Sequence, residues 1–115
     1  MTSGDIVLIL FPFTDLTNAK VRPALVISST QQLTQGPDAI FMAITTGTSS
    51  QKPTDFFIDQ THPEFTATGL KKPSVFRAEK MHCLEKKLAV RRLGTIGPKI
   101  RKEIASRVQA VLEFK

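Results

Sequence analysis

Apolar residues in this chain come in short bursts separated by polar stretches. Ile6-Val7-Leu8-Ile9-Leu10-Phe11 is continuous, rich in β-branched residues and too short for an ordinary helix, which predicts a buried strand closed by Pro12. After a polar stretch from Thr14 to Lys20, Pro23-Ala24-Leu25-Val26-Ile27-Ser28 reads the same way, with proline tolerated among a strand's first residues. A third strand is expected over Ala39-Ile40-Phe41-Met42-Ala43-Ile44, entered from the turn residues Gly36-Pro37-Asp38. The polar run from Thr46 to Thr54 is expected to be a mobile loop. Phe56-Phe57-Ile58 and Ser74-Val75-Phe76-Arg77-Ala78-Glu79 supply a fourth and a fifth strand, and Leu88 to Leu93 a small further one. From Pro98 the spacing changes: Ile100, Ile104, Val108, Val111 and Leu112 recur at helical intervals with Lys, Arg and Glu between them. Gly97-Pro98 suits that helix start, because proline at the first helical position gives up no needed hydrogen bond.

Nothing between the first three strands is long or periodic enough for the crossover helix that parallel neighbours require, so antiparallel pairing is expected. The pattern predicts a mainly β fold, a small curled sheet or barrel with one amphipathic helix packed against it. At 115 residues the chain is expected to form a single domain over 1–115, since a second core would starve both.

Composition narrows the function. Lys and Arg number 16 against 10 Asp and Glu, giving a net charge of +6 and a pI near 9.8. Such a field attracts a polyanion or an acidic protein, and equally describes a basic soluble surface. No apolar run approaches the roughly 20 residues that cross a bilayer, and Met1-Thr2-Ser3-Gly4-Asp5 lacks the cationic opening of a secretory signal, so a cytoplasmic protein with no membrane partner is expected. Cys83 is the only cysteine and His62 and His82 the only histidines. No cluster at metal-ligand spacing and no glycine-rich phosphate loop occurs, so neither metal nor cofactor is expected.

What remains is a set of polar residues at the ends of apolar strands, where a rigid scaffold can aim them at one cleft. Arg22 precedes Pro23, which biases it towards an extended conformation. Thr45 and Thr46 follow Ile44 at the end of the third strand. Arg77 and Glu79 are two apart and share one strand face, with Ser74, Phe76 and Ala78 on the other. Plainer readings exist for each: a surface ion pair for Arg22, strand-end structure for the threonines, a cross-strand charge pair for Arg77 and Glu79. His82 and Cys83 read as a partly buried pair, since no third group is there to orient a nucleophile and its base. Lys71-Lys72, Lys86-Lys87 and Arg91-Arg92 read as solvated faces, or as a track for an RNA backbone.

At these residues the sequence resembles the MazF/PemK family, also called Kid or mRNA interferases, of type II toxin-antitoxin systems. Gly4-Asp5-Ile6-Val7 is similar to the family's opening, Arg22-Pro23-Ala24-Leu25-Val26-Ile27-Ser28 to its most recognisable segment, and Ile44-Thr45-Thr46 to its strand-ending threonine. Gly69-Leu70 with Ser74-Val75-Phe76-Arg77-Ala78-Glu79 resembles a later block that usually reads Val-Val-Arg-x-Asp. The resemblance implies an SH3-like barrel of about five to seven mostly antiparallel strands with a C-terminal α-helix, acting as a homodimer. It also implies metal-independent cleavage of single-stranded RNA at short sequences, restrained by a cognate acidic antitoxin. Family catalytic roles fall on Arg22 and Thr45, and in PemK-like members on Arg77 and Glu79; Thr46, Lys20 and Lys52 are the expected RNA contacts. The chain departs from the pattern at Thr14-Asp15-Leu16-Thr17-Asn18-Ala19-Lys20, where glycine and glutamine are commoner, and at Glu79, where aspartate is. A gyrase-targeting or otherwise non-nucleolytic toxin on the same barrel is the alternative, as is a weakened member that only binds RNA or antitoxin.

The implied chemistry suits these residue types. Attack of a ribose 2′-OH on the adjacent phosphate needs proton removal, stabilisation of a dianionic phosphorane and protonation of the leaving 5′-oxygen. A carboxylate such as Glu79 takes the first proton. The forked donors of Arg22 and Arg77 match phosphate oxygens, and Thr45 adds a hydroxyl. Arginine holds its proton too tightly to donate it, so it acts chiefly by electrostatics.

Overall fold

The computed structural model describes residues 1–11 and 20–113 of the chain. Pro12 and the polar stretch from Thr14, apart from Lys20, therefore lie outside the described residues. Among the described residues the strands are β1 (Asp5–Leu10), β2 (Val21–Val26), β3 (Asp38–Thr46), β4 (Asp55–Ile58), β5 (Ser74–Glu85) and β6 (Ala89–Thr95), joined in one sheet in the order β4-β5-β3-β2-β1-β6. Every pairing is antiparallel. With α3 (Pro98–Val111) closing the chain, this is the mainly β, SH3-like arrangement with a C-terminal helix that the sequence implies. No helix among the described residues is long and apolar enough to cross a membrane.

Breaks in register curl the sheet. The β1–β6 pairing shifts after Ile6 and again after Leu8, and the β3–β5 pairing jumps from Ile44 opposite Phe76 to Met42 opposite Met81. Extra residues on one strand bend it and increase its twist. The sheet thereby wraps two apolar clusters, one on each face. Ile6, Leu25, Met42, Ile44 and Phe76 face one side, where Ile100 and Ile104 of α3 cover them. Val7, Ile9, Ala24, Val26 and Phe41 face the other, packed with Leu33 and Leu84. The alternation along β1 and β2 sends neighbours to opposite faces, as strand geometry requires.

Three features differ from the sequence reading. β5 continues to Glu85 rather than ending at Glu79, because beyond the bulge it pairs again with the first half of β3, from Met81 opposite Met42 to Glu85 opposite Asp38. Two short helices appear, α1 (Thr30–Leu33) and α2 (Phe65–Thr68), both too brief to show a helical period. Ser29 caps α1 by accepting from the Gln32 N–H at 3.1 Å, and α2 stops at Gly69, whose φ of 73° suits a residue without a Cβ. Gly69 and Gly94 also leave no room for a side chain between α2 and β6: an added Cβ would run into the Leu93 backbone at one and the Ala67–Thr68 backbone at the other. Third, Leu112 lies past the end of α3 and is 52% exposed, so the apolar stripe of the helix ends at Val111.

Candidate active site

β2, β3, β5 and β4 are successive neighbours, and the expected catalytic residues ride on the first three of them. Arg22 pairs with Ile9, which packs in the second cluster, so Arg22 stands on that cluster's face of the sheet. The paired part of β2 and β3 ends at Ala24 opposite Ala43, and Arg22 and Thr45 each lie two residues beyond that pair on the same side of their strands. Thr45 in turn pairs with Val75, and Arg77 is the next residue of β5 on the same side. In a regular sheet neighbouring strands lie about 4.8 Å apart and diagonal neighbours about 7–8 Å, within reach of arginine side chains. Arg22 is exposed, Thr45 half-buried, and the Arg77 side chain 22% exposed.

Arg77 is held from β4. Its Nε donates to Oδ1 of Asp55 at 3.0 Å, and Asp55 is the cross-strand partner of Arg77 in the ladder. The other oxygen of Asp55 accepts the backbone N–H of Gln51 at 3.0 Å and of Lys52 at 3.2 Å. Glu79 is exposed yet engaged: Oε2 accepts the Thr54 hydroxyl at 2.6 Å and Oε1 meets the Lys52 ammonium at 3.1 Å. The Thr54 bond and then the Lys52 bond and charge favour the ionised carboxylate, so the pKa of Glu79 is lowered below the ordinary glutamate value. The segment expected to be a mobile loop is thus tied at Gln51, Lys52 and Thr54 to two carboxylates, because β4 and β5 bring Asp55 and Glu79 beneath it.

The remaining expected contacts separate. Lys52 joins the site through Glu79, whereas Thr46 pairs with Ser74 on the opposite face from Thr45. There it lines a groove of about 330 Å³ with Pro23, Leu70 and Ser74, into which Lys71, Lys72 and Arg91 also project. Lys20 is exposed just before β2. His82 and Cys83 do not form a buried pair: successive strand residues face opposite ways, so His82 meets the Phe11 ring edge-on at 5.6 Å while Cys83 is exposed. Among the described residues no three His, Cys, Asp or Glu side chains converge as metal ligands do.

Sequence reasoning missed Asp55, Thr54 and Arg107. Arg107 of α3 donates Nε to the Asp55 carbonyl at 3.0 Å and lies 4.8 Å over the Phe56 ring, bracing the start of β4. The only local signal for Asp55 is its position at the head of Phe56-Phe57-Ile58.

Fold and site together define a small helix-backed β domain that presents two guanidinium groups and a hydroxyl from adjacent strands. The family model of the PemK-like, MazF-like toxin of type II toxin-antitoxin systems matches residues 2–112, and the chain belongs to that family. No curated protein matches it. Among solved structures, an endoribonuclease in complex with its cognate antitoxin from Mycobacterial species has a TM-score of 0.76 at 17% identity, covering 100% of this chain and 97% of that one. The Mycobacterium tuberculosis toxin MazF-mt6 also reaches 0.76 at 17% identity, over 96% of this chain and 98% of its own. A chain of the MazE-MazF (Form-III) crystal structure from Deinococcus radiodurans reaches 0.75 at 18% identity, over 100% of this chain and 98% of its own. At such identities the likeness is one of fold.

Proposed function

We propose that this chain is a single-domain, cytoplasmic toxin that cuts single-stranded RNA at short sequences without a metal ion, works as a homodimer and is restrained by a cognate acidic antitoxin. Membership of the toxin family supports the class, and a solved relative of the same fold is an endoribonuclease in complex with its cognate antitoxin. The observation that carries the reading is the placement of Arg22, Thr45 and Arg77 on one face of three adjacent strands.

In this reading the 2′-OH attacks the neighbouring phosphorus and the P–O5′ bond breaks, with solvent water protonating the departing 5′-oxygen, leaving a 2′,3′-cyclic phosphate and a 5′-hydroxyl. Arg22 and Arg77 stabilise the charge that builds on the phosphorane oxygens, and the Thr45 hydroxyl holds the phosphate. Glu79 takes the 2′ proton; its lowered pKa makes it a weak base and the enzyme a slow one. Lys52, Lys20 and Thr46 contact the flanking RNA backbone.

Purified protein incubated with a long single-stranded RNA in EDTA is expected to yield fragments ending in cyclic phosphate, with Arg22→Ala slowing cleavage about 10²–10³-fold. Intact RNA, or cleavage that stops on chelation, overturns the reading. Growth arrest that persists in Arg22→Ala with unbroken cellular RNA assigns the chain instead to toxins that act by binding a protein such as gyrase.

A further inference from the structure

The Asp55 side chain is only 1% exposed. An ionised carboxylate is costly to bury unless its lone pairs are met, and here both oxygens are used. Oδ1 accepts from Arg77 and Oδ2 from two consecutive backbone N–H groups. The residue is anchored from behind as well, since Arg107 holds its carbonyl. The arrangement is therefore stiff.

Which edge of the Arg77 guanidinium is taken decides what is left. Asp55 engages Nε, and among the described residues Nη1 and Nη2 have no hydrogen-bond partner. The Nη pair is a fork that matches two phosphate oxygens. A guanidinium fixed at Nε before substrate arrives has already lost rotamer freedom that binding would otherwise have to remove. The same carboxylate fixes the Gln51–Lys52 backbone, from which Lys52 reaches Glu79.

We propose that Asp55 is the positioning residue of the site: it holds Arg77 by Nε so that the Nη fork stays available to the scissile phosphate, and it ties that arginine to the turn carrying Lys52. The proposal rests on the reading of the chain as an RNA endonuclease. Asp55 touches no substrate and acts through Arg77.

The test is a double-mutant cycle on a short RNA with one cleavage site, using wild type, Asp55→Asn, Arg77→Ala and the double variant in EDTA. Asn keeps the shape but must turn its amide either to the guanidinium or to the backbone N–H groups. Asp55→Asn is expected to lower kcat about 10–100-fold with KM little changed. With Arg77 already alanine, it is expected to cost no more than about twofold, the limit within which uncoupled changes add. Equal losses in both backgrounds, or wild-type kcat in Asp55→Asn, overturn the proposal. Should Asp55→Asn fail to fold, Arg77→Lys takes its place: it keeps the charge beside Asp55 without the fork, so it should lose as much kcat as Arg77→Ala, and retained kcat overturns the proposal.

A readout independent of cleavage is the NMR signal of the Arg77 side chain. A slowly exchanging Nε–H is expected in the wild type, with Nη signals that shift on adding a 2′-O-methyl copy of the oligonucleotide. Those features without any RNA cleavage sink the nuclease reading and leave the positioning role standing. Cleavage with a fast-exchanging Nε–H sinks the positioning role alone.

Discussion

Thr54 donates to Glu79 at 2.6 Å and Lys52 meets it at 3.1 Å, and both contacts favour the charged carboxylate over the neutral acid. Partial desolvation opposes them and loses, so Glu79 stays ionised further into acid than a free glutamate does. If Glu79 accepts the 2′ proton, the acid limb of the pH–rate profile lies below the ordinary glutamate range. Thr54→Ala removes the larger stabilising contact, so the folded-state pKa rises and that limb moves to higher pH; a profile unmoved by Thr54→Ala excludes Glu79 as the titrating base. Asp55 is the other residue whose neighbours set its use. Its charge is met by Arg77 in the ladder, which is why a carboxylate at the head of an apolar strand is tolerated in a buried place.

At the scale of elements, α3 is fastened at both ends of its buried stripe. Its N-cap is Gly97, which has no side chain to offer, and the role is taken from a distance: Glu64 accepts the N–H of Lys99 at 2.9 Å and of Ile100 at 2.8 Å. Partial burial pushes the pKa of Glu64 up, but the bonds from Ile100 and Lys99 outweigh it and the net shift is downward. The stabilisation is therefore complete above the ordinary glutamate value and is lost as the pH falls through the lower folded-state value. Glu64→Ala should lower the melting temperature at neutral pH but much less in acid, with exchange protection lost first at Lys99 and Ile100. Equal destabilisation at both pH values would place the effect in packing instead. Further along, Ile104 is 4% exposed against the sheet, and Ile104→Ala is expected to cost about 2–5 kcal/mol in denaturant unfolding.

For the whole molecule, if the chain binds RNA as proposed, the +6 charge acts chiefly where cations meet phosphates. Binding of an uncleavable single strand should weaken with salt, and each neutralised phosphate should add about 0.7 to the slope of log K against log salt. Arg22→Ala is expected to lower that slope by about 0.7; an unchanged slope would put Arg22 outside the RNA contact.

The sequence alone determined the apolar bursts of β1 to β5, the period of α3 from Pro98, the stationing of Arg22 and Thr45 near strand ends, and the shared strand face of Arg77 and Glu79. These follow from local hydrophobicity and backbone preference, which act over a few residues. Only the tertiary structure decided that β5 runs on to Glu85 past a bulge, that Thr45 and Thr46 serve opposite faces, and that Arg77 meets a carboxylate 22 residues earlier. Those are matters of register between distant segments. Because side chains alternate with a period of two, a slip of one residue would reverse every face. That choice is settled by packing two clusters on the two sides of one sheet at once.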